Sequence, residues 1–357
     1  MTITAAVIGA SFAKAAYLPA LRTIEDVAIV AIASARIESA QEAAQAFDVP
    51  HAYDDWQAML AAHPVDFVAI ATPTIHHAPM VLAALEAGAH VLCEKPMAMN
   101  ADESRAMLEK ADHLGRVHTI GHELRFNPNR RKIRQLIQEG AIGQVRHVNI
   151  VNISGTWGDP ASRPAGDWWS LDEMGGGRLG ANGSHQIDLT RFWLGDIGAI
   201  NGQIATMVPN RIDKKTGDSW TATADDQVSF TAEMENGALV SVFLSGAARH
   251  NIGNQIQIFG SEGTIKLFDA DEKLLIARAG EDFQDMSETD PNANLPGVNK
   301  GIWNVSVVGM MHDIMAAIRE QRPPQDAATF ADGLQCQIAM DAVRQSSKER
   351  RWITLVK

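Results

Sequence analysis

The sequence predicts two domains of different class. Residues 1–122 read as an α/β domain on a doubly wound parallel sheet. Residues 123–357 read as an α+β domain with a large, mostly antiparallel open sheet. Three observations predict this. The chain has 357 residues, more than one compact core usually serves. Up to residue 122, short apolar runs alternate with helical stretches, as in a parallel sheet buried on both faces. Beyond it, several runs alternate apolar and polar residues, and Asn236-Gly237 is a hairpin signal.

Thr4 to Ile8 is a buried strand that ends at Gly9, and Ala15 to Arg22 has helical character. Strand, glycine turn and helix is the layout of a Rossmann nucleotide-binding unit. Of the G-x-G-x-x-G pattern only Gly9 is present; Ser11 and Lys14 stand at the second and third glycine positions, with Phe12 between them. Ser11 is small enough to let a pyrophosphate approach the backbone. Lys14 either snorkels outward or brings its ammonium to phosphate. By itself this motif fits a dinucleotide turn and a plain strand-to-helix turn equally.

Val27 to Ala33 is the second strand and ends in Ser34-Ala35-Arg36. An acidic residue here would bond the ribose 2′-hydroxyl of NAD. A hydroxyl and a guanidinium suit a 2′-phosphate instead, which predicts NADP in preference to NAD. The competing reading of Arg36 is a solvated residue at a helix start. A weak strand precedes Tyr53, and Glu38 to Phe47 and Trp56 to Ala62 read as helices. Asp66 to Ala71 is a strand ending in Thr72-Pro73-Thr74; Pro79 to Ala87 is a helix closed by Gly88.

His90 to Cys93 is an apolar strand ending abruptly in Glu94-Lys95-Pro96. Pro96 stops the ladder and holds Lys95 extended. Ligands of open α/β sheets bind beyond the carboxyl ends of the strands, so Lys95 stands where a ligand would lie. Asp102 to Leu114 and Val117 to Ile120 complete the domain as helix and strand. Neighbouring pairs such as His76-His77 and His122-Glu123 lack metal-ligand spacing, so no metal site is predicted.

In the second domain Asn129 to Glu139 is a basic amphipathic helix. Gln144 to Trp157, Asp226 to Met234, Ala238 to Leu244, Gln255 to Phe259 and Thr264 to Phe268 are strands. Their sheet keeps one face to cover, which predicts a homodimer or homotetramer through it. Asp167 to Trp193 is the densest stretch for function, with Gly175 to Gly177 in a tight loop and Ser184 to Leu194 helical. His185 then sits at a helix start with Asp188 one turn on, where a carboxylate can hold an imidazole tautomer. The competing reading is a satisfied core histidine. Trp168 and Trp169 read as a sugar platform or as core aromatics; Asn182, Gln186 and Arg125 offer hydroxyl contacts, and Arg125 a carboxylate contact. Val298 to Arg319 becomes a helix ended by Pro323-Pro324, Ala327 to Ser347 is another, and Trp352 to Val356 a last strand. Asp269 to Pro296 reads as an acidic surface loop.

The net charge of −12 argues against nucleic acid and anionic membranes as partners. Two cysteines, Cys93 and Cys336, imply no disulfide framework and fit a reducing, cytoplasmic setting. No window reaches the ~18 apolar residues of a membrane helix. The start of the chain lacks the basic residues of a signal peptide and reads as the first strand.

These residues together resemble the glucose–fructose oxidoreductase, inositol dehydrogenase and MocA family (Gfo/Idh/MocA). The resemblance lies in Ala5 to Leu21, in Ala71-Thr-Pro-Thr-Ile-His-His-Ala-Pro79, in Gly88-Ala-His-Val-Leu-Cys-Glu-Lys-Pro96 and in Gly175 to Gly195. It implies an NAD(P)-dependent oxidoreductase acting on a secondary hydroxyl or carbonyl of a sugar, cyclitol or related polyol. It implies that Lys95 bonds the reacting oxygen and that His185 is the general acid/base. It puts Glu94 and Pro96 near the nicotinamide, Thr72, Pro73 and His77 on the cofactor side, and Arg125 beside the site. The chain departs from the family at Ala181, where an aspartate is common, at Thr74 in place of asparagine, and in the glycine turn. Two alternatives stand beside this reading. One is a nicotinamide-dependent glycosidase or lyase working by transient oxidation. The other is a catalytically idle NADP-binding sensor.

Overall fold

The structure is a computed structural model that describes residues 2–268 and 272–355. Residues 269–271 of the predicted acidic loop and Val356 of the predicted last strand lie outside the described residues. Contacts divide the chain into two compact units, Met1–Asn127 with Thr289–Leu334, and Pro128–Glu288 with Gln335–Lys357.

The first unit is a six-stranded parallel sheet in the order β3-β2-β1-β4-β5-β6. Its strands are β1 (Ile3–Ile8), β2 (Val27–Ala33), β3 (His51–Tyr53), β4 (Phe67–Ile70), β5 (His90–Cys93) and β6 (His118–Ile120). The helices between them are α1 (Ser11–Ala15), α2 (Tyr17–Leu21), α3 (Ile37–Phe47), α4 (Trp56–Ala62), α5 (His77–Glu86) and α6 (Ala101–His113). The six predicted strands are present in the predicted alternation with helices. Successive residues of each strand feed opposite cores, as period-two geometry requires. Ala5, Val7, Phe67, Ala69 and Leu92 fill one core; Ala6, Ile8, Val68, Ile70, Val91 and Cys93 fill the other.

A linear division at residue 122 does not describe these units, because the chain returns to the first one. Helix α9 is Ile302–Glu320, after α7 (Pro128–Gln138) and α8 (Ser184–Leu194) in the second unit. Its Val307, Val308, Met310, Met311, Ile314 and Met315 join the core beneath β1 and β2. That apolar stripe, not chain order, decides its place. The helix stops at Glu320 because Gln321 turns left-handed, φ 51°, before the two prolines are reached. Phe330–Leu334 of α10 (Phe330–Glu349) also belongs to the first unit.

The second unit holds a nine-stranded sheet in the order β16-β15-β14-β13-β7-β12-β11-β8-β17. Its members are β7 (Val145–Ile153), β8 (Ile197–Ala205), β11 (Gln227–Met234), β12 (Leu239–Ser245), β13 (Gly253–Gly260), β14 (Gly263–Phe268), β15 (Lys273–Arg278), β16 (Gln284–Asp285) and β17 (Ile353–Thr354); β9 (Asn210–Ile212) and β10 (Ser219–Thr221) form a separate hairpin. Among the described residues of this sheet, only β7 and β12 pair in parallel; the other pairs are antiparallel. Strands β15 and β16 correct the reading of Asp269 to Pro296 as loop. Leu274 and Ile276 are buried, and that burial holds a strand which the acidic surroundings hide. On β12, Val240, Val242 and Leu244 are buried, while Leu239 and Phe243 are exposed on the other face. Among the described residues, no helix is long and apolar enough to cross a membrane.

Candidate active site

The first unit gathers its candidate residues at the carboxyl ends of its strands. Gly9 ends β1 with φ 101°, and a Cβ there would sit 2.1 Å from Ala71 O at the end of β4. Only glycine allows that approach. Ser11 is exposed, and Phe12 is half-buried with its ring edge-on to Tyr17 at 5.3 Å. Lys14 pairs with Glu42 at 3.3 Å on the surface, which follows its outward reading. At the end of β2 Ser34 is half-buried, and Arg36 is exposed with its guanidinium donating to Ser39 Oγ at 2.9 Å.

Thr72 and Pro73 lead from β4 into α5, where His77 is fully buried. Its Nδ1 lies 2.9 Å from Pro96 O and its Nε2 2.9 Å from Thr72 O. A neutral imidazole donates to one of these carbonyls at a time. Burial holds its pKa below the usual histidine value, against the pull of the carbonyls. His77 therefore ties the Thr72–Pro73 loop to the segment behind Lys95. The Lys95-Pro96 peptide is cis.

Glu94 is buried with both carboxylate oxygens engaged. Oε1 accepts from Tyr17 Oη, and Oε2 accepts from the Lys95 N–H at 3.1 Å. Burial pushes the Glu94 carboxyl up, opposed by the Lys95 ammonium and the Tyr17 hydroxyl. Lys95 itself is half-buried at the strand end. Arg125 is buried with its guanidinium 3.3 Å from the Asp332 carboxylate, so its charge is answered inside the protein.

The remaining candidates lie in the second unit. Trp168 and Trp169 are half-buried and stack on each other, ring centroids 3.9 Å apart. Gly176 permits this loop, since a Cβ there would sit 2.4 Å from Trp168 O. Residues Leu179–Gly183 form one π-helical turn, in which Ser184 N–H reaches back to Leu179 O. Such turns recur at functional sites. Ala181 and Asn182 lie in it, and His185, Gln186 and Asp188 follow in the first turns of α8, each buried.

Sequence reasoning missed the group that anchors this segment. Asp225 is buried, and its Oδ2 accepts from Leu179 N–H at 2.8 Å while its carbonyl accepts from Arg178 N–H at 2.7 Å. Burial raises its carboxyl from 3.8 to about 6, against those N–H groups and Arg344. Arg178 donates to Asn152 Oδ1, and burial lowers it to about 10 despite Asp225. Tyr17 and Gly121 were also missed in the first unit. Only the pairing of a buried-looking tyrosine with the buried-looking Glu94 would have pointed to them.

Strand order reverses between β1 and β4, and Gly9, Thr72 and Lys95 all sit at strand carboxyl ends of this sheet. That is the crevice in which doubly wound sheets take a dinucleotide, and the glycine turn leaves the backbone approachable, so these residues fit such a cofactor. Among the described residues, no group of three or more histidine, cysteine or acidic side chains is arranged to hold a metal. Fold and site thus define an NAD-binding oxidoreductase. Residues 3–122 match an oxidoreductase family with an NAD-binding Rossmann fold, and residues 130–266 match the GFO/IDH/MocA C-terminal domain. The chain belongs to the Gfo/Idh/MocA family. It is 29% identical over 347 residues to levoglucosan dehydrogenase of Pseudarthrobacter phenanthrenivorans, covering 90% of this chain and 88% of that one. It is 29% identical over 265 residues to inositol 2-dehydrogenase of Rhizobium meliloti, covering 74% and 75%. A solved levoglucosan dehydrogenase in complex with NADH and levoglucosan superposes with TM-score 0.89, at 27% identity over 100% of both chains.

Proposed function

We propose that the protein transfers hydride between a nicotinamide cofactor and a secondary hydroxyl or carbonyl of a sugar, cyclitol or related polyol. The observation that carries this is Lys95, a cation set at the carboxyl end of β5 by a buttressed backbone. The named relatives, dehydrogenases of levoglucosan and inositol, support the substrate class. When bound, the nicotinamide supplies the hydride acceptor or donor. Lys95, as an ammonium, stabilises negative charge developing on the substrate oxygen. His185 takes or returns the hydroxyl proton, because an imidazole titrates near working pH. Asn182, Gln186 and the Trp168 face orient hydroxyls and ring.

A panel of sugars and cyclitols with NAD and NADP, read at the nicotinamide absorbance, tests this. Turnover with net cofactor reduction is the expected result. Product without net redox change would replace it with the transient-oxidation chemistry of a glycosidase or lyase. Binding without turnover across the panel would leave a sensor.

For the cofactor, Ser34 and Arg36 support NADP, because Arg36 is exposed just beyond β2 and its guanidinium offers a fork that suits phosphate oxygens. NADP affinity above NAD affinity, reversed by Arg36→Ala, is the expected result; equal affinities in the parent protein overturn it. The exposed Leu239 and Phe243 on the open sheet face support a homodimer or homotetramer, which light scattering after size-exclusion chromatography reads directly. The sequence holds two cysteines, Cys93 and Cys336, both buried, which supports a reducing, cytoplasmic setting.

A further inference from the structure

The glycine turn and the end of β5 are joined by a side chain that neither motif contains. Tyr17 opens α2 and is fully buried. Its hydroxyl donates to Glu94 Oε1, and Glu94 Oε2 accepts from Lys95 N–H at 3.1 Å. Gly121 makes room for the pair: a Cβ there would lie 2.9 Å from Glu94 Oε1 and 3.0 Å from Tyr17 Oη. On its other side the same ring meets Phe12, within the turn that begins at Gly9. Burial, Glu94 and Glu123 together push the Tyr17 phenol well above its usual range. The proton therefore stays on Tyr17 and is donated. Glu94 needs that donor, because burial favours its neutral form.

We propose that Tyr17 is a positioning residue for the reaction. Through Glu94 it fixes the backbone of Lys95 and keeps an anion beside the ammonium. The strut braces the residue that meets the substrate from the turn that meets the cofactor. The proposal rests on the role given above to Lys95.

Tyr17→Phe removes the hydroxyl and keeps the ring against Phe12. On a substrate found in the panel, kcat falls ~10-fold, the scale of one hydrogen bond to a charged group. NADH affinity, read by fluorescence titration, stays near that of the parent. The acid limb of the kcat profile moves to higher pH, because Glu94 loses a donor to its charged form. A second readout needs no substrate. Labelling of Lys95 by a lysine-directed acylating reagent, measured by peptide mass spectrometry relative to Lys14, changes several-fold. Unchanged kcat with an unchanged labelling ratio overturns the proposal. So does a loss of NADH affinity equal to the loss in kcat, which would make Tyr17 a strut of the fold alone. Should Tyr17→Phe not fold, Glu94→Gln, similar in shape, takes the same measurements. If the parent turns over nothing in the panel, the sugar reading fails and the labelling ratio still decides this one.

Discussion

Each unit places a buried carboxylate beside the backbone that carries its leading candidate. In the first unit, Glu94 accepts from the N–H of Lys95. In the second, Asp225 accepts from the N–H of Leu179, one turn or more ahead of His185. Both carboxyls are pushed up by burial. They differ in what opposes burial and in sequence distance. Glu94 is next to the residue it holds and is answered by a phenol and an ammonium. Asp225 lies 46 residues from Leu179 and is answered mainly by backbone N–H groups and Arg344. A buttress inside its motif can be read from the chain; one brought from the loop ahead of β11 cannot.

The largest effect tests whether the two ends are equal partners. Lys95→Ala and His185→Ala should each lower turnover by ~10²-fold or more, within the range of acid–base groups. Steady-state kinetics on a confirmed substrate measures both. Parent-like turnover in either variant breaks the symmetry and removes that residue from the chemistry.

Next come the glycines that give each carboxylate its room. Gly177 has φ 109°, and a Cβ there would sit 2.4 Å from Asp225 Oδ1. Gly121 lies outside the left-handed range, and its Cβ would sit 2.9 Å from Glu94 Oε1. Gly177→Ala combines strain with overlap and should cost ~2 kcal/mol or more. Gly121→Ala meets overlap alone and should cost ~1 kcal/mol. Urea unfolding orders them; a larger loss at Gly121 would mean that the Glu94 pocket is the stiffer one.

The same contrast explains what was legible. Strands of the first unit are buried on both faces, so they read as apolar runs ending in Gly9, Ser34, Thr72 and Glu94. Strand β8 was not foreseen, because Gly198 and Gly202 break its pattern. Gly202 is there for packing, since a Cβ would come within 2.9 Å of Val343 on α10. Strand β15 is short and set among acidic residues. Tyr17 sits in a run that reads as ordinary apolar helix. Asp225 reads only as the residue before a strand, and nothing local announces Leu179 as its partner. What pattern cannot carry is a contact whose two halves belong to different elements.

The smallest effect isolates the charge on Asp225. Its folded value of about 6 lies above the ordinary 3.8, so the folded state binds the proton more tightly than the unfolded chain does. The stability it contributes is then fully present below about 3.8 and is lost as pH rises through about 6. At pH 8 the ionised carboxylate costs about 3 kcal/mol relative to its protonated form, of which roughly 1.4 kcal/mol develops above pH 5. Asp225→Asn keeps an oxygen for Leu179 N–H and removes the titration. Its amide N–H groups face the space beside Gly177, so the absolute stability shifts by an offset that does not depend on pH. The slope is the signal: the melting temperature of the variant minus that of the parent should rise by ~3 °C between pH 5 and pH 8. Arg178, lowered by burial to about 10, stays charged across that window and leaves the slope to Asp225. A flat difference would show that Asp225 is ionised throughout, held by its N–H groups and arginines more firmly than burial opposes them. Its buttress would then match that of Glu94 in place only, not in chemistry.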